Sequence, residues 1–198
     1  TSLVKMFEAP KISVRVTGLS GLGKSRLVAE AINNSSSIDA DDVLVFNAAT
    51  SELGIENYFR GYIDTQKNGL VIVDNCSDKL HVNLTKELYK TDSNLILVTL
   101  DFYRGVFENT DLIDLSPLDD DTIKKIIAPA FADEIKDIER IAKFAQGFPR
   151  MAVLLAEERV RGGRNLGRLN FSQIAEKLLW GNQERNVDEE KALIACSL

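Results

Sequence analysis

Short apolar runs alternate with longer amphipathic stretches along the first part of the chain. The inner runs are rich in Val, Ile and Leu, a composition typical of strands that are buried on both faces of a sheet, whereas the first run alternates apolar and polar residues. They lie at Ile12–Thr17, Val43–Asn47, 70–74, 94–99 and 112–115. The stretches between them predict helices at 25–32, 56–65 and 79–89. Strands that alternate with helices predict a parallel sheet with helices on both faces.

The pattern becomes purely helical after Pro117. Asp119, Asp120 and Asp121 supply an N-cap and first-turn negative charge to a helix that runs to about Ala128. Further helices are predicted at 133–146, 149–161, 171–180 and 188–198. We therefore expect three parts, an α/β domain at 1–117, a helical subdomain at 118–165 and the start of a further module at 166–198.

Composition places the chain among ordinary globular proteins. Of its 198 residues, 44% are hydrophobic and 27% are charged, and the net charge is −6. This acidic balance gives no indication of a nucleic-acid partner. The sequence contains neither an apolar run of membrane-spanning length nor a signal-peptide pattern, and its two cysteines lie far apart. We therefore expect a cytoplasmic protein without a membrane partner. Both ends look truncated, so we also expect a piece of a longer protein.

A glycine-rich segment separates the first predicted strand from the first predicted helix. Residues 18–25 fit the pattern G-x-x-x-x-G-K-[ST]. In this motif backbone amides cradle a phosphate chain, the lysine reaches the terminal phosphates and the hydroxyl binds Mg²⁺. The residues predicted to contact a nucleotide here are Gly18, Ser20, Gly21, Leu22, Gly23, Lys24, Ser25 and Arg26. Lys24 is also a predicted catalytic residue, and Ser25 is a predicted ligand of Mg²⁺.

Asp74 ends the most hydrophobic of the predicted strands. A carboxylate at the end of an inner strand beside a phosphate loop can hold Mg²⁺ through water, which makes Asp74 a predicted metal ligand and catalytic residue. The alternative is a simple cap on the following helix. The next residue is Asn75, where hydrolytic enzymes of this kind commonly carry an acid. An amide cannot accept a proton, so we expect slow hydrolysis unless Asp78 or another group substitutes.

Three further residues are candidates for nucleotide contacts. Thr99 ends the strand predicted at 94–99, where its hydroxyl can reach a terminal phosphate, although threonine is also a common strand residue. Pro149 and Arg150 open a predicted helix, where the proline can pack on an adenine and the arginine can reach the phosphates. The alternative for this pair is a helix stop and restart with a surface arginine. His81 is expected to be structural.

Together these motifs resemble the STAND class of P-loop NTPases, signalling switches that include the NB-ARC and NACHT modules of immune receptors. The resemblance rests on 18–25, 70–74, 94–99, 115–118 and 147–149. It implies a parallel five-stranded sheet of order 5-1-4-3-2, a helical subdomain over the nucleotide, and a winged-helix-like module that begins near Leu166. It also implies ATP/ADP exchange that drives opening and assembly of a homo-oligomer, with sensor and effector domains outside this chain.

The chain departs from that family at three points. Leu100, rather than arginine, follows Thr99, so a γ-phosphate sensor is missing or has moved, with Arg104 as a candidate. Asn75 replaces the usual second acidic residue, and the adenine-contacting turn upstream of the first strand is absent. The segment that ends in Arg150 is also similar to the sensor-2 motif of AAA+ ATPases. An AAA+-like motor, or a scaffold without hydrolysis, is therefore an alternative function.

Overall fold

The computed structural model of the protein describes residues 2–64, 68–103, 105–131 and 135–162. The chain divides after Ser116 into two compact units. Arg104, the helices predicted at 171–180 and 188–198, and the winged-helix-like module lie outside the described residues. The division into three domains therefore stays a prediction.

The first unit is built on a five-stranded parallel sheet. Its strands are β1 (Ile12–Thr17), β2 (Val43–Asn47), β3 (Gly69–Asp74), β4 (Leu95–Leu100) and β5 (Asp111–Asp114). Their order across the sheet is β2-β3-β4-β1-β5, with every pair parallel. The predicted α/β fold class and the order 5-1-4-3-2 are confirmed. Because β1 lies between β4 and β5, the loop that follows it begins beside the carboxyl ends of both neighbours.

Helices cover both faces of this sheet. They are α1 (Ser2–Met6), α2 (Lys24–Asn33), α3 (Ala48–Asp64) and α4 (Asp78–Lys90). Val14 and Val16 of β1 share a core with α1 and α2, whereas Leu95 and Leu97 of β4 share the opposite core with α3 and α4. Alternate residues of a strand enter different cores because successive side chains point to opposite faces. This double burial explains the continuous apolar runs in the sequence.

Helix α3 begins well before its predicted start at 56. Its first turn is held by Asn47, whose Oδ1 accepts a hydrogen bond from the amide of Ala49 at 3.1 Å. The carbonyl of Asn47 also accepts a hydrogen bond from the hydroxyl of Thr50 at 3.1 Å. Polar residues in this turn obscure the helical period in the sequence. Asn47 accepts hydrogen bonds from donors of the first turn, which would otherwise have no partner within the helix.

The described part of the second unit, residues 117–131 and 135–162, is helical. Its α-helices are α5 (Asp120–Ile127), α6 (Ile135–Ala145) and α7 (Pro149–Gly162). Their core is formed by small and aliphatic side chains, namely Ile123, Ile127, Ile141, Ala142, Ala145, Ala152, Leu155 and Ala156. Asp119 caps α5 by accepting a hydrogen bond from the amide of Thr122 at 2.7 Å. In the part of the chain that the structure describes, none of the helices has the length and apolar character needed to cross a membrane.

Candidate nucleotide-binding site

The loop between β1 and α2 requires glycine at both of its ends. Gly23 has a φ angle of 93°, a left-handed backbone conformation that residues with a Cβ rarely adopt. At Gly18 a Cβ atom would lie 2.8 Å from the carbonyl oxygen of Leu115, which follows β5. The first glycine therefore allows a close approach of two backbones, and the second sets the angle at which the chain enters α2.

The first turn of α2 is open to an anion. Gly23 is the N-cap residue and has no side chain that could accept a hydrogen bond, and the first turn contains no acidic residue. By contrast, Ser77 caps α4 by accepting a hydrogen bond from the amide of Leu80 at 3.2 Å, and the first turn of α4 contains Asp78. Uncapped amides and the positive end of the helix dipole together favour a bound phosphate.

Lys24 lies half-buried at the start of this helix. Its ammonium group donates hydrogen bonds to the carbonyl oxygens of Gly18, at 2.6 Å, and Leu19, at 3.3 Å. Burial lowers the pKa of Lys24 below its ordinary value, and the carboxylates of Asp74 and Asp101 offset part of that shift. The two hydrogen-bond acceptors of the Lys24 ammonium are neutral backbone groups, and an incoming phosphate would add a charged partner.

Ser25 and Asp74 form an oxygen pair beside the loop. The hydroxyl of Ser25 lies 3.4 Å from Oδ2 of Asp74, although the two residues are far apart in the sequence. Hydroxyl and carboxylate oxygens are hard ligands of the kind that Mg²⁺ prefers, and this ion usually keeps several waters besides one or two protein ligands. The pair therefore fits a Mg²⁺ ion that accompanies a nucleotide, where the ion would neutralise phosphate charge.

Asn75, the residue after Asp74, is held by two hydrogen bonds. Its amide nitrogen donates to Oδ1 of Asp74 at 2.9 Å, and its side-chain nitrogen donates to Oδ1 of Asn47 at 2.9 Å. Its φ angle is 53°, in the left-handed region that asparagine tolerates better than most residues. The side chain of Asn75, which stands where hydrolytic enzymes of this kind commonly carry an acid, is thus hydrogen-bonded to the end of β2.

Thr99 belongs to a buried polar cluster on the α4 face of the sheet. Its hydroxyl lies 2.8 Å from Nδ1 of His81, and Nε2 of that ring lies 3.0 Å from the hydroxyl of Thr110. His81 also meets the ring of Phe107 edge-on, with the ring centroids 4.7 Å apart. The contact of Thr99 with a terminal phosphate stays a prediction, because the bonds described here are internal.

Arg15 is the centre of the same cluster, and the sequence analysis did not identify it. Its guanidinium pairs with Asp78 at 2.6 Å and with Asp101 at 3.0 Å. It also donates to the carbonyl of Cys76 at 3.2 Å and lies 4.9 Å from the ring centroid of Phe107. Asp78, considered above as a replacement for the missing acid, is therefore engaged with Arg15. A charged residue in a strand expected to be covered on both faces was the signal for such a cluster.

The other predicted contacts occupy different settings. Ser20 is exposed at the tip of the loop, and Leu22 is buried beneath it. The exposed side chain of Arg26 pairs with Glu30, one turn further along α2, at 2.5 Å. Pro149 and Arg150 form the first turn of α7 in the second unit. Their contacts with a nucleotide stay predictions.

Two solved structures share this architecture. One is a Signal Transduction ATPase with Numerous Domains (STAND) protein with a tetratricopeptide repeat sensor from Pyrococcus horikoshii, with a TM-score of 0.53 and 15% identity. That match covers 89% of this chain but only 31% of the archaeal protein. The other is domain III of the replication initiation protein DnaA from Thermotoga maritima, with a TM-score of 0.53, 15% identity, and coverage of 90% of this chain and 88% of that one.

This chain has the fold of a P-loop ATPase domain. At the level of sequence, no family model and no curated protein matches it. The fold agrees with the position of the glycine-rich loop between β1 and α2 and with Asp74 at the end of β3. The P-loop fold therefore rests on topology together with a motif in its correct place.

Proposed function

We propose that this chain is the nucleotide-binding module of a STAND-type signalling switch. In this proposal ADP holds the module closed, and ATP with Mg²⁺ opens it and allows assembly into a homo-oligomer in the cytoplasm. Such a switch needs a difference in affinity between the two states, because a ligand that binds both equally shifts nothing. Sensor and effector functions, including a defence role of the NB-ARC kind, would belong to parts of the protein outside this chain.

The observation that carries the proposal is the arrangement at the start of α2. An uncapped helix N-terminus, the ammonium of Lys24 and the Ser25–Asp74 oxygen pair lie together at the carboxyl edge of a parallel sheet. Each of these features alone is common, but together they offer amides, a cation and a metal site to one polyphosphate. The likeness to the archaeal STAND protein supports this assignment at the level of the fold.

Slow hydrolysis follows from the groups near Asp74. Asn75 cannot accept a proton and its side chain is bonded to Asn47, while Asp78 is paired with Arg15. At the first of these positions there is no carboxylate to accept a proton from an attacking water, and at the second the carboxylate is already paired with a guanidinium. We infer a module that holds ATP for long periods, as a switch must.

The alternative is an AAA+-like motor subunit that uses Arg150 as a second sensor. Two observations favour it, the likeness to DnaA domain III and the position of Arg150 in the first turn of α7. A motor must hydrolyse ATP repeatedly, so the two functions differ in turnover rather than in binding.

Two measurements on the purified chain test the proposal. Mass spectrometry of small molecules released by denaturation should detect bound ADP or ATP. Steady-state turnover should be about 0.01 s⁻¹ or slower for a switch, at least two orders of magnitude below the ~1 s⁻¹ or more expected of a motor. Turnover in the faster range would favour the AAA+ alternative. A folded preparation that binds neither nucleotide in calorimetry would contradict both.

A further inference from the structure

A single buried side chain joins the segments that leave two neighbouring strands. Arg15 lies in β1 with no exposed surface. Of its partners, the carbonyl of Cys76 follows β3, the carboxylate of Asp78 belongs to the first turn of α4, and the carboxylate of Asp101 follows β4. The order β3-β4-β1 places all of these segments at the carboxyl edge of the sheet, where the phosphate loop also begins.

Stability alone does not account for this arginine. Removing a guanidinium from water is costly, and apolar replacements of buried ionic groups are often as stable as the groups they replace. The Nε atom of Arg15 has no hydrogen-bond partner among the described residues, which adds to the cost. A valine or leucine would satisfy this position of a doubly covered strand. The arginine therefore contributes something that an aliphatic side chain could not, namely directed bonds to several segments.

The segments held by Arg15 adjoin the predicted phosphate and metal groups. Asp74 lies two residues before Cys76 and is 3.4 Å from Ser25. Asp101 lies at the end of β4, and its amide donates to the carbonyl of Val16 in β1. A movement of either segment would therefore alter the surroundings of the terminal phosphate, the group that distinguishes ATP from ADP.

We propose that Arg15 is a positioning residue that sets the preference of the site between ATP and ADP. It does so by fixing the segments after β3 and β4 in one arrangement beside the phosphate loop. This inference rests on the proposed function, because the preference is a property of the nucleotide site. Arg15 acts through its partners and does not itself contact the nucleotide.

The variant Arg15→Lys tests the inference directly. In the structure Nη2 contacts Cys76, Asp78 and Asp101, while Nη1 lies 3.4 Å from the hydroxyl of Thr99. Lysine keeps the positive charge, but a single ammonium cannot occupy both positions and lacks the planar group that lies over the ring of Phe107. Calorimetry with Mg·ATP and Mg·ADP should show that the ratio of the two affinities changes by about five-fold or more. The matched control is Arg60→Lys, because Arg60 is an exposed arginine that pairs with acids of α3 and α4. A folded Arg15→Lys protein with an unchanged ratio would overturn the inference.

A second variant removes one link and leaves Arg15 in place. Asp78→Ala deletes the link to α4, while the cap provided by Ser77 is retained. Its control is Asp120→Ala, since Asp120 occupies the same first-turn position in α5. We expect the affinity ratio to change in Asp78→Ala and not in Asp120→Ala. Equal weakening of ATP and ADP would indicate a structural role only and would contradict the inference.

Hydrogen exchange separates this inference from the proposed function. In Arg15→Lys, amides at 76–78 and 101–103 should exchange faster than in the wild type, whereas those of α5 should not. If the wild-type chain binds no nucleotide, the proposed function fails and the affinity ratio cannot be set by Arg15. If the wild type binds both nucleotides and exchange at these amides is unaltered by the substitution, the proposed function stands and the positioning role is wrong.

Discussion

The ammonium of Lys24 is stabilised in this structure by two carbonyl oxygens of its own loop, 2.6 and 3.3 Å away. Carbonyl groups are weaker partners for a cation than a phosphate, because a phosphate adds the attraction of a full negative charge to the hydrogen bond. Partial burial strengthens this difference, since fewer water molecules solvate the charge. In the proposed function, a phosphate would therefore be a stronger partner for Lys24 than the two carbonyl groups.

We expect Lys24→Ala to weaken the binding of ATP and ADP by about ten-fold to a hundred-fold, the cost of one hydrogen bond to a charged group. Calorimetry on the purified variant measures the loss. Lys86→Ala is the control, because Lys86 is an exposed lysine of α4. Wild-type affinity in a folded Lys24→Ala protein would show that the phosphate site has been misplaced.

Asp74 and Lys24 should differ in what they recognise. Asp74→Ala should mainly remove the Mg²⁺-dependent preference for ATP over ADP, because its carboxylate is paired with Ser25 as a metal ligand would be. Affinities measured with and without Mg²⁺ provide the test. A preference that survives the substitution would show that Asp74 does not hold the metal ion.

Asn75→Asp should accelerate hydrolysis by about ten-fold or more, because a carboxylate can accept a proton from the attacking water. Aspartate tolerates the left-handed backbone at this position, and it cannot donate to Asn47 as the amide does. Asn109→Asp is a matched control, because Asn109 is another asparagine with positive φ, at 54°. Phosphate release in steady state measures the effect, and equal rates would exclude Asn75 as the cause of slow turnover.

At the level of elements, the helices differ in how they begin. Helices α4 and α5 begin after a residue whose side chain accepts a hydrogen bond from a first-turn amide. Helix α2 begins after a glycine, which has no side chain to do so. A capped helix gains stability at that end, and an uncapped helix keeps its amides available for a ligand. In the proposed function, the open first turn of α2 is the end that would receive the phosphate.

Ser77→Ala should lower the free energy of unfolding by about 1 kcal/mol, the usual value of a serine cap. The hydroxyl accepts a hydrogen bond from the amide of Leu80, and alanine leaves this amide without that partner. Chemical denaturation at pH 7 measures the change, with Ser36→Ala in an exposed loop as the control. A loss no greater than that of the control would show that the cap contributes nothing.

At the level of the whole molecule, the polar cluster makes stability depend on pH. Burial lowers the pKa of His81 to about 4, and the positive charge of Arg15 adds to the shift. In the unfolded chain the imidazole has its ordinary pKa of about 6.5. Between these values the unfolded state binds more protons than the folded state, so stability falls as the pH falls.

The free energy of unfolding should therefore be constant above about pH 6.5 with respect to His81 and lose roughly 2 to 3 kcal/mol by pH 4. His81→Gln should be less stable at pH 7, because it loses the contact with Phe107, but its stability should vary less over this range. Denaturation at several pH values compares the two proteins. Parallel curves would show that His81 is not neutral in the fold.

The sheet and the phosphate loop could be predicted because their signals are local. Strands appear as short apolar runs, and the loop is a motif with fixed spacing between its glycines and Lys24. The start of α3 was missed because Asn47 determines it through hydrogen bonds to Ala49 and Thr50, which leave no period in the sequence. The pairing of Asn75 with Asn47 was missed because it depends on the neighbouring positions of β2 and β3.

The sequence by itself determined the parallel α/β fold and the place of the candidate site, because periodicity and motif spacing act over a few residues. The tertiary structure alone decided the contacts of Arg15. Register places Arg15 beside Thr99 across β1 and β4, and its carboxylate partners are 63 and 86 positions away in the chain. Although the α/β pattern predicts helices on both faces of the sheet, the alternation of apolar and polar residues within β1, taken alone, also fits a strand with one exposed face. Only the packing of α4 over that face makes Arg15 a buried charge that must be paired.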